Sequence, residues 1–115
     1  MPSKLGQTIR NARQAAGVGL REFAEEIKKS PGFVTQIECE DEVPSVSEET
    51  LRTIATKLDL DADQLLVLAE RTPSDVAPKS VLEVTLYRKV RGLSSTDQKR
   101  AGKYLDSLKK KPKRP

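Results

Sequence analysis

An all-α fold is what this sequence predicts, and three observations carry the prediction. Apolar residues recur at helical spacing along nearly the whole chain, and no run alternates as a half-buried strand does. Hydroxyl and carboxamide or carboxylate pairs with capping-box spacing precede several of the apolar stripes. Glycines stand where two of the stripes stop.

The elements follow in order. Leu5, Ile9, Ala12 and Ala16 form a first stripe, ended by Gly17. Phe23, Ala24 and Ile27 form a second, short one. Ser30-Pro31 opens a third helix, with a hydroxyl cap followed by proline at the first helical position, where its missing N–H costs nothing. Val34 and Ile37 are the inward pair of that helix. After Pro44, Ser45 and Glu48 have capping-box spacing, and the helix they predict buries Leu51, Ile54, Ala55 and Leu58. Asp61 with Gln64 opens a fifth helix through Leu65, Leu66 and Leu68. The polar, proline-punctuated stretch 70–79 reads as a linker. Beyond it, Val81, Leu82, Leu86 and Val90 make one stripe, ended by Gly92. Ser94 or Ser95 caps the last helix, in which Ala101, Tyr104, Leu105 and Leu108 recur at i, i+3, i+4 and i+7. The organisation expected is a five-helix domain over 1–69, a linker over 70–79, a two-helix hairpin over 80–109 and a disordered basic tail over 110–115.

Composition removes several functional classes. The chain has 115 residues, no His, no Trp and a single Cys. A zinc finger, a His-based catalytic triad and an internal disulfide are therefore excluded. No pair of groups resembles a poised acid and base, and no glycine-rich phosphate loop is present, so neither enzyme activity nor a cofactor is expected. No apolar run approaches the ~18 residues a membrane span needs, and the first ten residues lack a signal-peptide core. A cytoplasmic chain without membrane association is the expectation.

Net charge is +4, but it is unevenly spread. Residues 1–69 carry 8 Lys/Arg against 12 Asp/Glu, whereas residues 70–115 carry 13 against 5. The basicity belongs to the C-terminal part, and 5 basic residues crowd the last seven positions, where two prolines forbid a helix. That tail either solubilises the chain or touches phosphates.

Function is most legible between Gly19 and Ile37. Two short apolar patterns are separated by a turn near Lys28 and Lys29, and Ala24 supplies the small side chain that lets two helices cross closely. This is the layout of a helix-turn-helix, which holds its second helix proud of the core for entry into a major groove.

The segments LGQTIRNARQAAG, FAEEI, SPGFVTQIE, the PS before the fourth helix and DADQLL resemble the Cro/C1-type (XRE-like) helix-turn-helix regulators of bacteria and phages. The resemblance covers about residues 4–69 and implies a lambda-repressor-like domain. It implies a recognition helix from about Pro31 to Cys39, with base edges read by Gly32, Thr35 and Gln36 and with Phe33 at the rim. Gln pairs bidentately with adenine, and Thr donates, accepts or touches a thymine methyl. Ser30 is placed to cap the helix and to offer its hydroxyl to phosphate. Arg10, Arg21, Lys28 and Lys29 are the candidate phosphate contacts, which position without reading sequence. Arg13 and Glu38 fall where many members pair an Arg with a Glu between the first and third helices; DNA contact is the other reading of Arg13.

The sequence also departs from the family pattern. Lys28 stands where glycine is common in the turn, which asks a bulky residue for a left-handed conformation. Lys29 replaces an apolar residue, and Leu20 replaces a Gln that often binds phosphate. Cys39, Glu40, Asp41 and Glu42 follow the recognition helix, where glycine and basic residues are usual. The acidic run is either a solvated loop or a partner-binding surface. Cys39 reads as an inert thiol, and Tyr87 reads as a packing residue.

Two amphipathic helices beyond a linker cannot bury both stripes alone. Val81, Leu82, Leu86, Val90, Tyr104, Leu105 and Leu108 are therefore expected to form a homodimer interface, which would set two recognition helices ~34 Å apart on one DNA face. The function expected is a dimeric, sequence-specific double-stranded-DNA-binding regulator, a repressor occupying a palindromic operator. A regulatory protein partner is compatible with it. The alternative is a protein-interaction or antitoxin-like module that keeps the scaffold and binds DNA weakly.

Overall fold

A computed structural model describes residues 1–42 and 45–109. Pro44 and the tail expected over 110–115 lie outside the described residues. The chain is all-helical, with α1 at Lys4–Ala15, α2 at Leu20–Glu26, α3 at Pro31–Cys39, α4 at Glu48–Leu58 and α5 at Ala62–Leu68. A short 3-10 turn at Ser74–Val76 precedes α6 at Val81–Arg91 and α7 at Ser95–Lys109. There is no strand among the described residues. The chain divides into two compact units, Met1–Val76 and Ala77–Pro115.

The first unit is built around one apolar core. Leu5 and Ile9 of α1, Phe23 and Ala24 of α2, and Val34 and Ile37 of α3 are buried in it. They meet Leu51, Ile54, Ala55 and Leu58 of α4 and Leu65 and Leu66 of α5. The α1 stripe does not end as the sequence suggests. Ala16 is exposed and caps the helix, and the buried position one turn beyond Ile9 belongs to Arg13.

The helix ends explain themselves locally. Ser3, Ser30, Ser47 and Asp61 each accept a hydrogen bond from a backbone N–H in the first turn that follows. The α4 cap is Ser47, not Ser45. Both serines precede the helix, but Val46 must turn inward to its buried site, and only Ser47 then faces the Thr50 amide, at 3.1 Å. Asp59 and Glu70 terminate α4 and α5 with φ near +57°, each in the left-handed conformation that lets the next amide reach back to the helix.

Gly6 marks the tightest contact in the unit. A Cβ at this position would lie inside van der Waals contact of the Ile37 carbonyl oxygen and 3.0 Å from that of Glu38. The absence of a side chain thus sets the approach of α1 to α3. Gly102 in α7 has nothing within 4 Å of the same hypothetical atom. The pair yields opposite expectations. Gly6→Ala forces backbone apart and should destabilise by about 1–3 kcal/mol, enough to outweigh the ~1 kcal/mol by which alanine favours a helix. Gly102→Ala should stabilise α7 by up to about 1 kcal/mol. Thermal melts of the two variants, followed by circular dichroism, check both signs.

The start of the 70–79 segment is tied to the first unit. The Ser74 amide and hydroxyl donate to the Glu48 carboxylate, at 3.2 and 3.4 Å. Arg52, one turn along α4, donates to the same carboxylate and, with Ser74, holds its pKa below the ordinary value. The unit accordingly runs to Val76, and the non-helical stretch between it and α6 is 77–80.

The second unit holds α6 and α7, joined by Gly92, Leu93 and Ser94. Ser80 accepts from the Glu83 amide to start α6, and Ser94 accepts from the Asp97 amide to start α7. Gln98 lies in the first turn of α7, but it does not bond back to the cap. Its side chain donates instead to the Val90 carbonyl at 2.8 Å, fastening the start of α7 to the end of α6. Neither helix buries a residue. Val81, Leu82, Leu86, Val90, Tyr104, Leu105 and Leu108 are all exposed.

Candidate nucleic-acid interface

The turn between α2 and α3 is fixed by backbone bonds. Lys28 has φ +60°, in the left-handed region. Its amide donates to the Glu25 carbonyl, and the Lys29 amide donates to Ala24 at 2.9 Å. This pair is a Schellman closure, in which the residue after the helix end must turn left-handed. Glycine takes this conformation freely, and the lysine side chain occupies the position at some conformational cost.

The chain then enters α3 through Ser30, whose Oγ accepts from the Phe33 amide at 3.1 Å, with Pro31 at the first helical position. Ala24, fully buried, lets α2 pass close beneath. Val34 and Ile37 anchor α3 to the core, so the opposite side of the helix faces outward. Gly32, Thr35 and Gln36 are exposed on that side, and Phe33 is half-buried. The Lys29 ammonium lies over the Phe33 ring, 5.3 Å from its centroid, a cation–π contact joining the turn to the helix start.

A buried ion pair locks the far side of α3. The Arg13 Nε donates to Glu38 Oε2 at 2.8 Å and its Nη2 donates to Oε1 at 2.9 Å, a bidentate fork. The third bond runs from Nη1 to the Val18 carbonyl at 2.9 Å. The Glu38 side chain is 2% exposed and that of Arg13 10%, so neither charge has water to fall back on. Hydrogen bonding to Glu38 raises the Arg13 pKa above its ordinary value against the opposing effect of burial. With its guanidinium committed in this way, Arg13 is withdrawn from solvent and from any ligand outside.

Ser30, Gly32, Thr35 and Gln36 therefore share one exposed face with the turn residues Lys28 and Lys29. Arg21 is exposed near the start of α2, and Arg10 is exposed on α1. On the other end of α3, Cys39, Glu40, Asp41 and Glu42 are exposed. The Met1 ammonium meets the Asp41 carboxylate at 2.8 Å, and the Ser3 amide donates to the Glu40 carbonyl. One negative charge of the acidic run is thus partly offset by the chain's own N-terminus. Sequence reasoning missed this contact and the Gly6 approach. A glycine inside an amphipathic helix, where it costs about 1 kcal/mol, was the available signal for the second.

What this arrangement can do is present a short helix, rigidly seated at both ends, with small and polar side chains outward. A helix of this diameter fits a major groove.

No protein-family model and no curated protein matches the chain. Among solved structures it is similar to the clp gene regulator ClgR of Corynebacterium glutamicum, in two crystal structures, at 33% identity over 57% of this chain. Those matches cover 68% and 82% of the ClgR chains, with TM-scores of 0.49 and 0.48. It is also similar to a SinR protein/SinI protein complex, at 20% identity over 93% of this chain and 99% of that one, with a TM-score of 0.49. α2, the left-handed turn at Lys28 and the seated α3 together have a helix-turn-helix layout.

Proposed function

We propose that the chain is a Cro/C1-type regulator that binds a palindromic operator in duplex DNA as a homodimer and represses by occupancy. The observation that carries this reading is the outward face of α3, where Gly32, Thr35 and Gln36 are exposed while Val34, Ile37 and Glu38 are buried. Gln36 and Thr35 supply base contacts, and Gly32 allows close approach of the helix start. Ser30, Lys28, Lys29, Arg21 and Arg10 supply phosphate contacts, and Phe33 forms the rim. A cytoplasmic location agrees with this role, and among the described residues no helix is long and apolar enough to cross a membrane.

Dimerisation through the second unit is supported by its exposed apolar residues. Leu82, Leu86 and Val90 recur at i and i+4 on α6, as do Tyr104 and Leu108 on α7. Left uncovered, these faces would remain in water at roughly 25 cal/mol for each Å² of apolar surface. Sedimentation at tens of micromolar should give a dimer mass, and Leu86→Asp should lower it to that of a monomer. A monomeric wild-type chain would contradict the dimer.

Selection of bound sequences from a pool of random duplexes tests the main reading. An enriched palindrome is expected. A protein-interaction module is the second reading, favoured by the exposed carboxylates Glu40, Asp41 and Glu42 that follow α3 and repel phosphates. It predicts no enrichment at any salt concentration.

A further inference from the structure

The second unit carries a concentration of positive charge that the reading helix does not use. Between positions 88 and 103 stand six basic residues, Arg88, Lys89, Arg91, Lys99, Arg100 and Lys103, and one acidic residue, Asp97. The first three occupy the last turn of α6, and the others occupy the first turns of α7. Gly92, Leu93 and Ser94 join the two helices, and Gln98 fastens them to each other. With a rise of 1.5 Å per residue, every one of the six lies within roughly 12 Å of this elbow along its helix. All six are exposed. Among the described residues, Arg100 alone of them has a carboxylate partner, Asp97 at 3.3 Å. At the start of α6 the charges balance, with Lys79 and Glu83, and the other basic run of this part of the chain lies at the end of the sequence, 109–114.

Arg88, Lys99 and Lys103 also stand clear of the apolar stripes, whereas Lys89 borders Leu82 and Leu86 and Arg100 borders Tyr104 at helical spacing. On α7, Lys99 and Lys103 share one face at i and i+4, whereas Ala101, Tyr104, Leu105 and Leu108 lie on the other side. On α6, Arg88 lies opposite the stripe of Leu82, Leu86 and Val90. A surface covering the apolar side would leave the elbow open to solvent.

We propose that this elbow is a second, sequence-independent binding surface for the phosphates of duplex DNA. Charge complementarity selects the ligand class. Three of the six are arginines, whose planar forks match phosphate oxygens, and the cluster is too basic to neutralise itself. Lys99 and Lys103 are about 6 Å apart along the helix, close to the rise of two successive phosphates on one strand. The need for such a surface rests on the function proposed above. Residues 1–76 carry 9 basic residues against 14 acidic ones, so the unit that reads sequence has little general attraction for a polyanion. The elbow would supply it.

The test uses the full chain and a variant with Arg88→Gln, Lys89→Gln, Lys99→Gln and Lys103→Gln, whose helicity and mass are first matched to the parent. Both are titrated with a random 30-base-pair duplex across a salt series and, separately, with vesicles containing phosphatidylglycerol. The variant should bind the duplex at least about tenfold more weakly near 0.1 M salt. Its plot of log K against log salt should flatten by about 0.9 for each of the four charges that touches a phosphate. Lys99→Gln/Lys103→Gln alone should give about half that change. An unchanged slope and affinity would overturn the proposal, as would loss of vesicle binding with duplex binding intact. The operator reading fails by a different outcome, the absence of enrichment in the selection while random-duplex binding still depends on the elbow.

Discussion

Glu38→Ala lowers the stability of the first unit by about 3–5 kcal/mol, the loss expected when one partner of a buried pair is removed and the other is stranded. Arg13 would keep its charge, surrounded by core, with only the Val18 carbonyl to accept from it. A domain of this size has about 5–10 kcal/mol in total, so the variant should be partly unfolded at 37 °C. Replacing both residues by apolar ones of similar length, Arg13→Met/Glu38→Leu, should recover most of the loss, since no orphaned charge remains. Urea titration followed by circular dichroism measures all three. Tyrosine fluorescence serves as an internal control, because both tyrosines, Tyr87 and Tyr104, lie in the second unit and should not respond. If Glu38→Ala matched the parent within 1 kcal/mol, the pair would not be what seats α3.

The second large effect concerns binding. Thr35→Ala/Gln36→Ala removes two exposed side chains, so the fold and its melting temperature should hardly change. One bidentate base contact discriminates by roughly 1–3 kcal/mol, and Thr35 adds a smaller share. Affinity for the selected palindrome should therefore fall by about tenfold to a few hundredfold, with affinity for random DNA unaltered. The two variants separate the parts played by α3. Glu38 acts from the buried side and moves stability, whereas Thr35 and Gln36 act from the exposed side and move recognition.

Much of this was legible in the residues themselves. Ser30-Pro31 announced the start of α3, because a hydroxyl cap and a proline at the first position serve little else so well. Val34 and Ile37 fixed its inward side, and the outward set followed from the helical repeat. The left-handed conformation of Lys28 could be read from the glycine usual at that position in the regulators the sequence resembles. What escaped depended on tertiary contact. Ser45 and Ser47 are equivalent as local signals, and the choice between them is made by Val46 entering the core. Nothing periodic marks Ser74 as a partner of Glu48, 26 residues away, so the first unit extends past residue 69 unannounced. Arg13 is instructive in another way. The Leu5 and Ile9 stripe leads to it at the next turn, and a charged residue at a buried position signals a buried partner.

Charge is where sequence and structure together change the picture most. A net +4 conceals an acidic unit that presents the candidate reading helix and a basic unit half of whose cations gather at one elbow. Recognition and general attraction are thus assigned to different ends of the chain.

The central claim is that the exposed side of α3 reads base sequence, and its most direct measurement is a paired titration. The palindrome recovered by selection and a scrambled duplex of the same composition are titrated with the parent chain and with Thr35→Ala/Gln36→Ala at one fixed salt concentration. The account predicts that the parent prefers the palindrome by at least about a hundredfold, and that the double variant loses about tenfold to a few hundredfold of that preference while binding the scrambled duplex as the parent does. Equal affinity of the parent for the two duplexes, or a preference undiminished by the double substitution, would contradict it.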